Sequence, residues 1–226
     1  TILTTCAVRG MELSAGRVSG VISEYGTIKA QQVLCAGGAW TSMFCRFHGI
    51  RLPQLKVKGI VARTEAREKL FDGELYGGGL GLRRRQDGGY TIASESYMNH
   101  SITPSTFRYA LKFLPAFIAE IKHLNLTIGG DFFDELSIPV RWPMDTPSPF
   151  ERTRVLNPDP DEPVLKSMAK AFTRLFPAFT DIKFAESWAG MIETTPDAVP
   201  VICESEKISG FYIATGFSGH GFGIGP

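Results

Sequence analysis

Long apolar runs are missing from this 226-residue chain, and none approaches the roughly 20 residues that cross a bilayer, so no transmembrane segment is expected. The opening TILTTCAVRG lacks the charged-then-apolar order of a secretory leader. Cysteine is scarce: the four, at 6, 35, 45 and 203, form no C-x-x-C pair and stand among small or apolar neighbours. That pattern speaks against a disulfide frame or a zinc site, and for reduced, buried thiols in a cytoplasmic setting. Neither sign of charge is in excess, the formal net charge being +1, so nucleic acid is not an expected partner and the run Arg83-Arg84-Arg85 reads as a solvated strand edge. Phosphate loops are also lacking, with no G-x-x-x-x-G-K-[ST] and no G-x-G-x-x-G after a strand. The carboxylates Asp159, Asp161 and Glu162 precede a helix and suit its N-terminal dipole, so no metal site is expected. There is no initiating methionine, the first residues read as a strand in progress and the last as a helix without a body, so a piece of a larger polypeptide is expected.

What is present is an ordinary globular composition, 43% hydrophobic and 21% charged. Short strands joined by tight turns are expected through TILTTCAVRGMEL, RVSGVISEYG and TIKAQQVLCAGGAW, the last with a buried parallel strand, Val33 to Ala36, feeding Gly37-Gly38. A helix follows from Thr41 to His48, then an antiparallel strand in LPQLKVKGIVARTE and a hairpin at QDGG. Periodicity predicts a helix over Thr103 to Leu124 with Phe107, Leu111, Leu114, Ile118 and Ile121 on its apolar face and a kink or split at Pro115. The proline-rich stretch from Pro139 to Pro163 reads as an ordered loop burying Trp142, Phe150 and Val155, and PVLKSMAKAFTRLF as an amphipathic helix. Strand and turn return in DIKFAESWAGMIETTPDAVPVI.

The chemistry concentrates in glycine-bearing turns. FYIATGFSGHGFGIGP reads as strand, sharp turn and helix start, a place for a nucleophile, a phosphate or a cofactor. GFSGH falls short of the G-x-S-x-G elbow, because a histidine replaces the last glycine and no acid and histidine follow Ser218. GGGLGL from Gly77 lacks phosphate-loop spacing and reads as a flexible loop. Taken in order, VLCAGGAW, WAGMIETTPDAVPVI and FYIATGFSGHGFGIGP resemble the D-amino-acid oxidase family of FAD-dependent oxidoreductases, which includes glycine oxidase, sarcosine oxidase and dimethylglycine dehydrogenase. GRVSGVISEYGTIKAQQVLCAGGAW extends the resemblance over nearly the whole chain.

The resemblance implies a mixed α/β fold: part of a three-layer FAD-binding domain at residues 1–45 and 186–226, and a substrate domain at 46–185 built on a largely antiparallel sheet with flanking helices. It implies FAD-dependent oxidation of the C–N bond of an amino acid or a secondary or N-substituted amine to an imine, by hydride transfer to the flavin. The N-terminal dinucleotide-binding half would come from the same polypeptide or a companion chain, and a homo-oligomer is possible. FAD contacts are implied at Val8, Ala36, Gly37, Gly38, Trp40, Gly190, Met191, Ile192, Gly216, Ser218, Gly219, His220, Gly221 and Phe222. Glycines at 216, 219 and 221 let backbone N–H groups approach a flat ring.

Departures from the family are specific. The arginine that follows WAGL in glycine oxidase relatives is Ile192 here, and the lysine after GHGF in monomeric sarcosine oxidase relatives is Gly223. The position of the covalent flavin cysteine is Gly190, so the expected FAD is non-covalent. The cations left to meet a substrate anion are Arg85, Lys58 or an arginine near SPFERTR, with Tyr97, Tyr76 and His100 as further pocket candidates. His220 is expected beside the flavin without a proton to move. With both usual anchors lost, the alternative is a non-catalytic FAD-binding or scaffolding subunit.

Overall fold

Why the elements form where they do is plainest in the longest strands. The computed structural model describes residues 1–94, 98–121, 124–179 and 181–224. β1 (Val8–Ser14), β2 (Arg17–Ser23) and β3 (Gly26–Lys29) make an antiparallel sheet, and β4 (Val33–Cys35) follows. A single 3-10 turn, Gly38–Trp40, leads into α1 (Thr41–Phe47). β5 (Leu55–Thr64) is the spine of a seven-stranded sheet with β6 (Glu74–Gly77), β7 (Leu80–Arg84), β8 (Tyr90–Ser94) and β9 (Met98–Ser101). α2 (Pro104–Glu120), β10 (Leu124–Thr127), α3 (Gly130–Ser137), α4 (Pro149–Arg152) and α5 (Glu162–Leu175) follow, then β11 (Phe184–Thr194), β12 (Val201–Glu204), β13 (Phe211–Thr215) and α6 (Gly221–Ile224). β11 lies antiparallel along the whole of β5, from Thr194↔Leu55 to Phe184↔Thr64. β13 pairs antiparallel with β12 and parallel with β4. The architecture is mixed α/β.

α5 shows the link from pattern to packing. Val164, Met168 and Phe172 recur every fourth residue, are buried, and seat the helix on Ile60, Ala62, Leu80, Leu82, Tyr90, Ile92 and Ala189. Each such side chain contributes about 2 kcal/mol of hydrophobic burial. Its start is pinned from the sheet: Lys58 Nζ meets Asp161 Oδ1 at 2.6 Å, and Asn99 also donates to Asp161. A second core gathers Met11, Val18, Phe44, Cys45, Leu52, Ile208, Phe211 and Ile213. It joins β1 and β2 to α1 and β13.

Several expectations need correction. β1 begins only at Val8, and TIKAQQVLCAGGAW divides into β3 and β4. β4 is parallel as expected but not buried, with Leu34 63% exposed. α2 runs through Pro115 without splitting, and the residues expected to face inward are its exposed side: Phe107, Leu111, Leu114, Ile118 and Ile121 are all at least 50% exposed. α2 carries two apolar stripes, and the aromatic one, Tyr109 and Phe113 backed by Phe117, packs on Leu55. Trp142 is buried and donates to the Arg9 carbonyl at 2.9 Å, and Phe150 packs on the second core, but Val155 is 73% exposed. Arg83 and Arg84 lie on β7, an inner strand, with Arg84 over the Tyr90 ring at 4.8 Å. The cysteines are free, but Cys203 is exposed; only Cys45 is fully buried, and burial pushes its thiol up to about 12. Among the described residues no helix is long and apolar enough to cross a membrane.

Candidate cofactor and substrate site

β4 and β13 run parallel and both end in glycine-bearing turns, which brings distant segments of the chain to one place. A buried glutamine fastens them. Gln54 Nε2 donates to Thr215 Oγ1 at 2.8 Å and to the Gly38 carbonyl at 3.4 Å, while its Oε1 accepts from the Ser42 amide at 3.0 Å. Neither Gln54 nor Thr215 was legible as a site residue, because nothing in their residue type or spacing tells that their side chains are buried together.

β11 supplies the third segment. Ser218 Oγ lies 3.3 Å from Thr194 Oγ1, and an added Cβ on Gly219 would touch Ile192 at 3.7 Å. The closing turn takes the left-handed region at Gly216 (φ +78°), Ser218 (φ +52°) and Gly219 (φ +82°), but not at Gly221. For Ser218 that conformation costs about 1 kcal/mol or more. Its hydroxyl donates to the Gly216 carbonyl at 3.1 Å, which holds the turn. Among the described residues, the backbone N–H groups of Phe217, Ser218 and Gly219 have no acceptor, whereas that of His220 is taken by the Phe217 carbonyl at 2.8 Å. The His220 side is exposed, and α6 is a single turn.

Open ground lies before these loops. An added Cβ on Gly190 or Gly223 would meet nothing within 4 Å, and on Gly38 only Glu193 Oε2 at 3.8 Å. Facing strand β11, Gly59 is tight instead, its added Cβ falling 2.8 Å from Ile192 Cδ1. On the other side of the AGGAW turn, a cavity of about 650 Å³ runs from Val8 past Ala36 and Gly37 to Trp40. At its rim Arg154 grips Glu24 at 2.7 and 2.8 Å, and with the Ala7 amide it draws the Glu24 carboxyl down to about 2.

A second cavity of about 220 Å³ is lined by Trp40 and Met191 together with charged side chains from α1, β5, α2 and α3. Burial lowers the pKa of Arg46 there, and Arg108 adds repulsion. Lys56 is exposed at the cavity wall, and desolvation by the protein around it lowers its pKa against the pull of Glu135 and Asp131. His100 is buried, its Nδ1 donating to the Lys56 carbonyl at 2.7 Å and its Nε2 facing Thr106 Oγ1 at 2.9 Å.

Of the sequence-expected cations, Lys58, Arg85 and Arg154 are otherwise engaged. Lys58 is paired with Asp161, and Arg85 with Asp87 in its own hairpin turn at 3.0 Å and with Thr91 Oγ1 at 3.2 Å. Arg152 closes α4, and Arg154 is the partner of Glu24. Tyr76 is on β6, 75% exposed. Tyr97 lies outside the described residues, and of Phe222 only the backbone is described.

All of residues 1–226 match the family described as DAO, FAD dependent oxidoreductase. The chain belongs to this family. Glycine oxidase of Pseudomonas aeruginosa is 22% identical over 219 residues, which are 97% of this chain and 45% of that protein. Among solved structures, L-amino acid deaminase from Proteus myxofaciens in complex with anthranilate is 29% identical with a TM-score of 0.90, covering 98% of this chain and 49% of that one. Glycine oxidase from Bacillus cereus has a TM-score of 0.61 at 19% identity, over 96% of this chain and 45% of that one, a likeness of fold. The chain thus spans about half the length of the family members it matches.

Proposed function

We propose that this chain supplies the ring-facing loops and the substrate-side sheet of an FAD-dependent enzyme that oxidises the C–N bond of an amino acid, or of a secondary or N-substituted amine, to an imine that water then hydrolyses. The observation that carries this reading is the open glycine ground of Gly38, Gly190 and Gly219, drawn together by Gln54, Thr215 and Ser218. A planar ring needs such ground, because a Cβ at these positions would stand between the ring and the backbone. Those residues fit FAD. Bound there, FAD supplies a two-electron acceptor for the hydride that leaves the substrate carbon.

What the chain's own residues do follows from their placement. The N–H groups of Phe217 to Gly219, which have no acceptor among the described residues, would donate to a bound flavin ring, and the Gln54 staple fixes the AGGAW turn against β13. The cavity bounded by Val8, Ala36, Gly37 and Trp40 takes the nucleotide part. Gly190 offers no thiol, so FAD is held without a covalent bond. In this reading residues 1–45 and 186–226 serve FAD, 46–185 serve the substrate, and β11 joins the two by lying along β5. The dinucleotide-binding half is supplied by the same polypeptide or a companion chain.

The test is spectroscopic. The full-length protein is expected to be yellow and to release FAD into the supernatant on acid precipitation; flavin retained in the pellet would overturn the non-covalent assignment. Under nitrogen, an amino acid or N-methyl amino acid is expected to bleach the flavin. A panel of such amines that leaves the spectrum unchanged would overturn the reaction.

A further inference from the structure

Helix α2 shows water an apolar seam that nothing among the described residues covers. Phe107, Leu111, Leu114, Ile118 and, just past the helix end, Ile121 are all at least 50% exposed, Leu111 at 87%. They follow one another at intervals of four, three, four and three residues, the a-and-d repeat of a helix that packs lengthwise on another helix. A helix lying on a lipid surface has instead a broad apolar face set opposite a charged one. The inner side of α2 is not charged: Tyr109 and Phe113 are buried there against Leu55. None of the seam residues lines either cavity.

We propose that α2 is the contact helix of a homodimer, lying antiparallel on α2 of a second copy with the two-fold axis at Leu114. The seam fixes the axis. Leu114 is its midpoint, with Phe107 and Ile121 seven residues to either side, so a half-turn sets Leu114 on its own copy and Phe107 beside the copy's Ile121. The area suffices: at these exposures the five side chains leave roughly 600 Å² of apolar surface. A standard interface takes about 800 Å² from each partner and is about 65% apolar in homodimers, which asks for roughly 500 Å². Charge agrees with a copy as the occupant. Within α2 the flanking positions are Arg108, Ala110, Pro115 and Phe117, of which only Arg108 is charged. In the antiparallel pair the two Arg108 lie about 18 Å apart along the axis, beyond the screening length of about 8 Å, whereas a parallel pair would set them level.

The test is the state of association of the full-length holoprotein. Sedimentation over a dilution series is expected to show a dimer that dissociates on dilution. Leu111→Glu and Ile118→Glu, each entering the seam twice, are expected to weaken the dimer at least about tenfold and to keep the flavin spectrum and KM of wild type. With the exposed cysteine removed by Cys203→Ser, Leu114→Cys is expected to give a disulfide-linked dimer on mild oxidation, while Phe107→Cys, about 21 Å from its copy, is not. A wild type that is monomeric at every concentration, a dimer that neither glutamate weakens, or cross-linking at Phe107→Cys equal to that at Leu114→Cys overturns the proposal. Two of the overturning results name another occupant. A monomer that binds vesicles of phosphatidylcholine and phosphatidylglycerol, and loses them in Leu111→Glu, gives the seam to a lipid surface; a monomer whose Tm falls in Leu111→Glu gives it to the rest of the polypeptide.

Discussion

Gly219 and Gly221 look equivalent in GFSGHGFG, yet only the first sits in the left-handed region, at φ +82°. The difference gives the residue-scale prediction. Alanine at 219 has room, since its Cβ would touch only Ile192 at 3.7 Å, but it carries about 1 kcal/mol of backbone strain. Alanine at 221 meets Phe217 Cβ at 3.4 Å, an ordinary contact, with no strain to bear. Gly219→Ala is therefore expected to lower Tm by a few degrees and to weaken FAD, and Gly221→Ala to leave Tm unchanged within about 0.5 kcal/mol. Thermal melts and FAD titrations of the two full-length variants check this, and a greater loss at 221 would refute it.

At the scale of elements, α1 is tied to β1 by one imidazole. His48, just after α1, accepts the Met11 amide on Nε2 at 3.1 Å and stands edge-on to Phe47 at 4.7 Å. Burial, with Arg141 nearby, lowers its pKa to about 4. The unfolded chain binds this proton near pH 6.5, so His48 contributes stability that is full above pH 6.5 and is lost as pH falls toward 4. His100, also lowered by burial, acts in the same sense. Melts from pH 7 to 4.5 are expected to show a shallower fall of Tm in His48→Gln than in wild type; parallel curves would show that the histidine does not titrate with folding. What the sequence disclosed at this scale followed pattern strength. α5 was legible because one apolar stripe admits one way to pack, whereas α2 offers two, and only the tertiary contact of Tyr109 and Phe113 with Leu55 chooses between them. The glycine turns were legible as turns, because the backbone freedom that makes them is local. The Gln54 staple and the charges of Arg46, Lys56 and Arg108 were not, because they meet only through the fold.

For the molecule as a whole, β4 is an edge of the sheet β12-β13-β4 among the described residues. The Val33 amide donates to the Gly210 carbonyl at 2.9 Å, toward β13, so by alternation along the strand the Leu34 amide points to the outer edge. An apolar edge with Leu34 63% exposed is a template for a further strand, and an exposed one is ordinarily blunted by charge or proline, neither of which β4 has. The family members spanning about twice this length have the material to cover it. In the full-length protein the Leu34 amide is therefore expected to be protected from hydrogen exchange to the same degree as its neighbours Val33 and Cys35, which face β13, and Leu34→Lys to lower Tm by well over the 0.5 kcal/mol of an ordinary surface change. The substitution and the exchange experiment are independent: one reads the side chain, the other the backbone. A Leu34 amide that exchanges as fast as an open loop in the full-length protein, together with a lysine variant of unchanged Tm, would leave β4 a true outer edge and remove the inference that the rest of the FAD-binding layer pairs there.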